Sequence, residues 1–175
     1  MKNKILFSIF FILLFLVIFF LQIYIIGGKT LFGVKPNLLL ISVIVFTSFL
    51  GIYKGTIYSF FIGIICDFLY GSTFGVFTLS YVFVALVIGY ISSNYITNNK
   101  LTLMLATFIG TAIFEFVEYI IYSFLLLEIS SIFHLILQIF LASLLNLVIV
   151  FILNGVVQKI AEYFEIKSKE REAIY

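Results

Sequence analysis

From Ile5 to Gly28 the chain runs 24 residues without a charge. A helix rises about 1.5 Å per residue, so about 20 apolar residues cross a hydrocarbon core about 30 Å thick. Ile5 to Ile26 is therefore expected to span a membrane. Lys2 and Lys4 imitate the basic start of a secretory signal, but the apolar run exceeds the usual stretch of about 7–15 residues and no small-x-small cleavage site follows it. The segment is expected to be retained. Similar apolar stretches follow at residues 37–53, 55–70, 74–95, 101–127 and 131–157, and a charged segment, 158–175, closes the chain. With 64% of residues apolar and 10% charged, against about 25% charged in soluble domains, most of the surface must face lipid. The expected fold class is all-α: a polytopic bundle of about six transmembrane helices, in one domain with no internal repeat.

The breaks between stretches carry the turn signals. Pro36 offers a helix start, because its missing N–H has no partner to lose in a first turn. Residues 37–53 and 55–70 are separated only by Lys54. Read as one helix, these 34 residues would be about 51 Å long. Two spans turning over Gly51 to Gly55 fit the core better, with one span plus an interfacial piece as the fallback. Gly71-Ser-Thr-Phe-Gly75 is a second turn signal, where Gly71 or Gly75 is expected to need a positive φ.

Basic residues set the orientation. With six spans, Lys2, Lys4, Lys54, Lys100, Lys159, Lys167, Lys169 and Arg171 fall on one side and only Lys29 and Lys35 on the other. Eight against two puts both termini in the cytoplasm. The 158–175 segment sums to zero charge, which suits a solvated helical extension better than a polybasic lipid anchor. The net charge of +2, from ten scattered basic and eight acidic residues, excludes an electrostatic footprint on nucleic acid.

Few residues are candidates for chemistry. Glu115 and Glu118 lie near the middle of the fifth span, on one helix face by their i, i+3 spacing. Buried charge inside a membrane marks function by default, and two close carboxylates in low dielectric are expected to hold at least one proton between them. They are expected to face the bundle interior, with Gln138, Asn146, Thr107, Thr111 or a group from another protein as partners. A proton relay, a ligand pocket, a partner contact and plain structural polarity all remain open. Asp67, near the end of the third span, is expected either to cap the Gly71–Gly75 turn or to answer a cation on a partner, the structural role being favoured. His134, Gln138, Ser143, Asn146 and Asn154 recur along the sixth span, where amides more often bond across helices than bind ligands. Cys66 is the sole cysteine and His134 the sole histidine, so a metal site is disfavoured. No nucleophile elbow, phosphate loop or dinucleotide fingerprint occurs, and neither an enzyme nor a cofactor is expected. Small residues recur at every fourth position: Gly55, Ser59 and Gly63; Ala85, Gly89 and Ser93; Ala106 and Gly110. Such stripes let helices approach closely, and packing within the chain is favoured over a groove for a foreign helix.

The basic start, the Lys35-Pro36-Asn37-Leu38-Leu39-Leu40 loop end, the Leu50-Gly-Ile-Tyr-Lys-Gly55 turn and above all Gly63-Ile-Ile-Cys-Asp67-Phe-Leu-Tyr-Gly71-Ser-Thr-Phe-Gly75 resemble the bacterial rod shape-determining MreD family. Length and span layout agree over the whole chain, although beyond about residue 100 only hydropathy matches, so Glu115 and Glu118 inherit no role. Asn37 stands where many members carry aspartate. The resemblance implies a non-enzymatic component of the cell-elongation complex in the bacterial cytoplasmic membrane. It implies MreC as the bitopic partner and, indirectly, MreB, RodA and a penicillin-binding transpeptidase. It also implies a fold similar to the substrate-binding subunits of energy-coupling-factor transporters. That fold supplies a rival function, a vitamin-type binding subunit whose intramembrane carboxylates line a pocket. A lipid-metabolising enzyme has no motif behind it.

Overall fold

The computed structural model describes residues 16–23, 33–70, 73–94, 100–126 and 131–172. These residues form six helical segments joined by short connections: α1 (16–23), α2 (Leu38–Leu50), α3 (Ile52–Tyr70), α4 (Val76–Asn94), α5 (Lys100–Leu126) and α6 (Ile132–Glu172). The all-helical membrane bundle is thus the architecture. Gly71 lies outside the described residues, as do residues 5–15 and 24–26 of the first expected span.

The break between α2 and α3 is a single residue wide. Gly51 has φ 82° and its N–H donates to the Thr47 carbonyl at 3.1 Å, closing the last turn of α2 in a conformation that a side chain would resist. Its own carbonyl then accepts the Gly55 N–H at 3.0 Å, which opens α3. Residues 37–70 therefore form two helices, not one rod. At 13 residues, α2 is about 20 Å long, short of a core about 30 Å thick. The helices long and apolar enough to cross a bilayer unaided are Ile52–Tyr70, Lys100–Leu125 and Ile132–Leu153, whereas Leu38–Leu50 and Val76–Ser92 are apolar but shorter. α6 continues without interruption into the charged tail as one 41-residue helix.

The short helix is the centre of the molecule. All nine residues from Leu39 to Thr47 are buried, as a helix apolar on every side requires, because α3, α4, α5 and α6 all pack around it. Leu40, Val43 and Ile44 meet Ile62 and Cys66 of α3, Tyr81, Val84, Ala85 and Ile88 of α4, and Ala106 and Phe114 of α5, with Ile18 and Phe19 of α1 closing the cluster. Ile41 and Val45 meet Leu103 and Val150 in a second cluster toward α5 and α6.

Glycines set the spacing. A Cβ at Gly63 would press into the backbone of Thr78, standing 3.0 Å from its nitrogen, and one at Gly89 would stand 2.7 Å from the Ile52 Cα. α3 and α4 are thereby held backbone to backbone. Gly55 is closed in the same way by Thr47, 2.7 Å from its Cα, so the third-span stripe serves packing inside the chain. Gly110 differs, since a Cβ there would meet the movable tip of Ile44, its Cδ1 at 2.7 Å. Gly63→Ala is expected to lower stability by about 1–3 kcal/mol through forced separation of two backbones. Gly110→Ala should cost less, and Gly155→Ala, with open space around it, should be silent. Thermal unfolding of the detergent-purified variants gives the ranking.

Candidate functional site

Where α2 begins, five helical segments exchange hydrogen bonds through one polar cluster. Asn37 is the N-cap residue: its Oδ1 accepts the Leu40 N–H at 2.9 Å, the reach a capping side chain needs. The same oxygen accepts the Tyr81 hydroxyl from α4 at 3.2 Å. The backbone N–H of Asn37 donates to Asn146 Oδ1 of α6 at 2.9 Å, and Asn146 Nδ2 donates to Thr111 Oγ1 of α5 at 3.1 Å. From α1, the Gln22 amide spans the helix start, with Nε2 donating to the Pro36 carbonyl at 3.1 Å and Oε1 accepting the Leu38 N–H at 2.8 Å. The chain thus supplies from side chains what water would supply to an exposed helix end. Tyr81 and Asn146 are almost wholly enclosed, and the Tyr81 ring lies 4.9 Å from that of Phe114.

Of these residues, Asn146 and Thr111 are expected from the sequence as bonding residues, but for the Glu115–Glu118 pair; here they bond each other. Gln22, Asn37 and Tyr81 were not singled out as members of a cluster. Two signals could have flagged them: Asn37 follows Pro36 just ahead of an apolar run, the pattern of an N-cap, and Gln22 is the lone amide of the first apolar stretch. Ser143, one turn from Asn146, is buried with its hydroxyl unbonded, and the Asn154 and Ser93 side chains lie outside the described residues.

Asp67 performs a second capping. Gly75, with φ 102°, precedes α4 and has no side chain to offer the first-turn N–H groups. Asp67 reaches across from α3: Oδ1 accepts the Phe77 N–H at 2.8 Å, and Oδ2 accepts the Thr78 N–H at 3.1 Å and the Thr78 hydroxyl at 2.5 Å. An anion at this position also meets the positive end of the helix dipole. The carboxylate is 3% exposed, so both oxygens are engaged within the chain.

Glu115 and Glu118 are arranged differently. The buried face of α5 runs through Leu103, Ala106, Thr107, Gly110 and Thr111 to Phe114 and stops there. Glu115 and Glu118 follow it and are half-buried. Gln138 Nε2 of α6 donates to Glu115 Oε2 at 2.9 Å, and Gln138 itself is exposed. Glu118 has no hydrogen-bond partner among the described residues. His134, one turn before Gln138, is exposed. Among the described residues no three of His, Cys, Asp and Glu approach closely enough to hold a metal ion. An isolated carboxylate at mid-membrane costs roughly 2.5–3.5 kcal/mol on insertion scales, and the Gln138 bond offsets part of that cost for Glu115.

The sequence model of the family described as rod shape-determining protein MreD matches residues 1–162. The chain belongs to the MreD family. No curated protein matches it, and no solved structure does, so the likeness to energy-coupling-factor subunits has no solved structure behind it. The glycine–aspartate stretch that carries the resemblance coincides with the α3–α4 corner, where Gly63 permits the close approach and Asp67 caps the next helix. In this MreD chain Asn37 supplies the capping oxygen at the start of α2.

Two substitutions test these assignments. Asp67→Asn replaces one acceptor oxygen by a donor that faces backbone N–H groups, and is expected to destabilise by about 1–3 kcal/mol. Asn146→Leu strands the Asn37 N–H and should cost a similar amount, again about 1–3 kcal/mol. Both are read as lowered melting temperature and lowered abundance of folded protein. An unchanged melting temperature would contradict the capping role.

Proposed function

We propose that this protein is a non-catalytic scaffold of the bacterial cell-elongation complex. It resides in the cytoplasmic membrane, where it holds the single helix of MreC and through it gathers MreB, RodA and a penicillin-binding transpeptidase. The observation that carries the reading is the family match over residues 1–162, which makes the chain a rod shape-determining protein. Two further features support a binding role. The polar groups of the core, at Asn37, Tyr81, Asn146 and Asp67, are spent on bonds that hold helices together. The lipid-facing surface is bulky and apolar, with Phe60, Phe61, Phe83, Phe124 and Phe133 exposed, a surface suited to contact with other membrane helices.

For orientation, we place both termini in the cytoplasm, on the eight-to-two distribution of basic residues. Reporter fusions after Lys54, Lys100 and Tyr175 should all read as cytoplasmic, and a periplasmic signal at Lys100 would overturn the six-span arrangement. Co-purification with MreC from detergent is the direct test of the scaffold. Absence of MreC together with tight binding of a vitamin-sized ligand would replace it with the transporter-subunit reading.

A further inference from the structure

The α2–α3 turn lies deeper in the bundle than the ends of the helices around it, and glycine contacts give its depth. A Cβ at Gly89 of α4 would stand 2.7 Å from the Cα of Ile52, the first residue of α3, so these two residues are level. α4 and α5 are in register near Val84 and Gly110: a Cβ at Gly110 would stand 2.7 Å from Ile44 Cδ1 and 3.4 Å from Val84 Cγ1, and the Tyr81 and Phe114 rings are 4.9 Å apart. Five residues on from Val84 is Gly89, and five back from Gly110 is Leu105. Leu105 is therefore level with Ile52 as well. α5 begins five residues beyond Leu105, at Lys100. Lys54 lies two residues inside Ile52 and thus stops about 10 Å short of the level of Lys100.

We propose that the bilayer is pinched at this turn: the headgroups and water of the leaflet at the Lys54–Lys100 end come down to Tyr53 and Lys54, while hydrocarbon covers α5 and α6 at the same level. The surface makes both demands at once. Leu101 and Leu105 of α5 are 65% and 62% exposed, and Phe151 and Ile152 of α6 are exposed too. Val150 clusters with Leu103, and α6 stays uncharged for eight residues past it. These apolar faces need lipid at and beyond the level of Lys54. Yet Lys54 is exposed and Tyr53 is 85% exposed. A lysine can snorkel toward water, but a backbone cannot. The starts of α2 and α4 are capped by side chains of the chain, whereas among the described residues no hydrogen bond reaches the N–H groups of Ile52, Tyr53 or Lys54, and hydrocarbon offers them no acceptor. Water and lipid phosphates do, and the phosphates also carry the charge opposite to Lys54. A bilayer thins beside a span shorter than its core, and α2 and α3, at 13 and 19 residues, stand next to an α5 of 27. The inference is independent of the scaffold reading and of which side of the membrane the turn faces.

The test places a nitroxide label on the full chain in vesicles of palmitoyl-oleoyl phosphatidylethanolamine and phosphatidylglycerol. Tyr53→Cys and Leu105→Cys supply label sites at one level on exposed positions, and Lys54→Cys replaces the first should Tyr53→Cys lower the melting temperature. Cys66 is buried, so the unaltered chain should take up little label. The label at 53 should collide with a water-soluble nickel chelate at least fivefold more often than the label at 105, which should collide mainly with dissolved oxygen. Equal chelate collision at both positions means that the whole bundle sits lower in a flat bilayer, and overturns the pinch. Collision mainly with oxygen at 53 overturns it by showing hydrocarbon at the turn. Exclusion of both reagents at 53 also overturns it, by showing protein there in place of lipid headgroups.

Discussion

The start of α2 inside the bundle is the constraint on which the other contacts depend. A helix that begins among other helices, away from water, exposes N–H groups that lipid cannot satisfy, each at a cost of several kcal/mol. This one is only 13 residues long and buried on all sides, so its free N–H groups must be answered by the elements around it. Asn37 answers the Leu40 N–H, Gln22 answers that of Leu38 and Asn146 answers that of Asn37 itself. The three answering side chains come from the capping residue, α1 and α6. Tyr81 and Thr111 then bring in α4 and α5. One backbone problem thereby fixes the relative positions of five helical segments.

The sixth, α3, is held by other means. Its glycines set it against Thr47 of α2 and Thr78 of α4, the Tyr58 hydroxyl lies 3.2 Å from that of Ser42, and Asp67 caps α4. Dispersion and close backbone approach, which hold helices together in lipid where apolar side chains gain little from leaving it, are therefore concentrated on the α3–α4 hairpin. Hydrogen bonds are concentrated at the start of α2. The enclosed amides and Asp67 hold the fold together, while the half-buried acids of α5 follow the end of its buried run.

Much of this was legible in the chain. Uninterrupted apolar stretches demand helices in a membrane because no other open structure can satisfy its own backbone there. The glycines at 51 and 75 marked the turns because only they adopt a positive φ without strain, and both do so, at 82° and 102°. The glycine–aspartate stretch also carried the family. Hydropathy could not show that residues 37–53 contribute a short central helix, since a buried helix and a lipid-facing one are equally apolar. Only enclosure by four other helices distinguishes them.

Tertiary structure alone decided how the polar side chains are shared out. Gln138 and Asn146 are chemically near-equivalent amides two turns apart on α6, yet one bonds Glu115 at the rim and the other the start of α2. Sequence spacing sets which residues share a face of one helix, but not the register of one helix against another. The sequence thus determined the helices, their breaks and the family, because these follow from local backbone geometry and from what lipid forbids. Which polar group meets which is set by interhelical packing, through contacts such as that of Asn37 with Asn146, 109 residues apart.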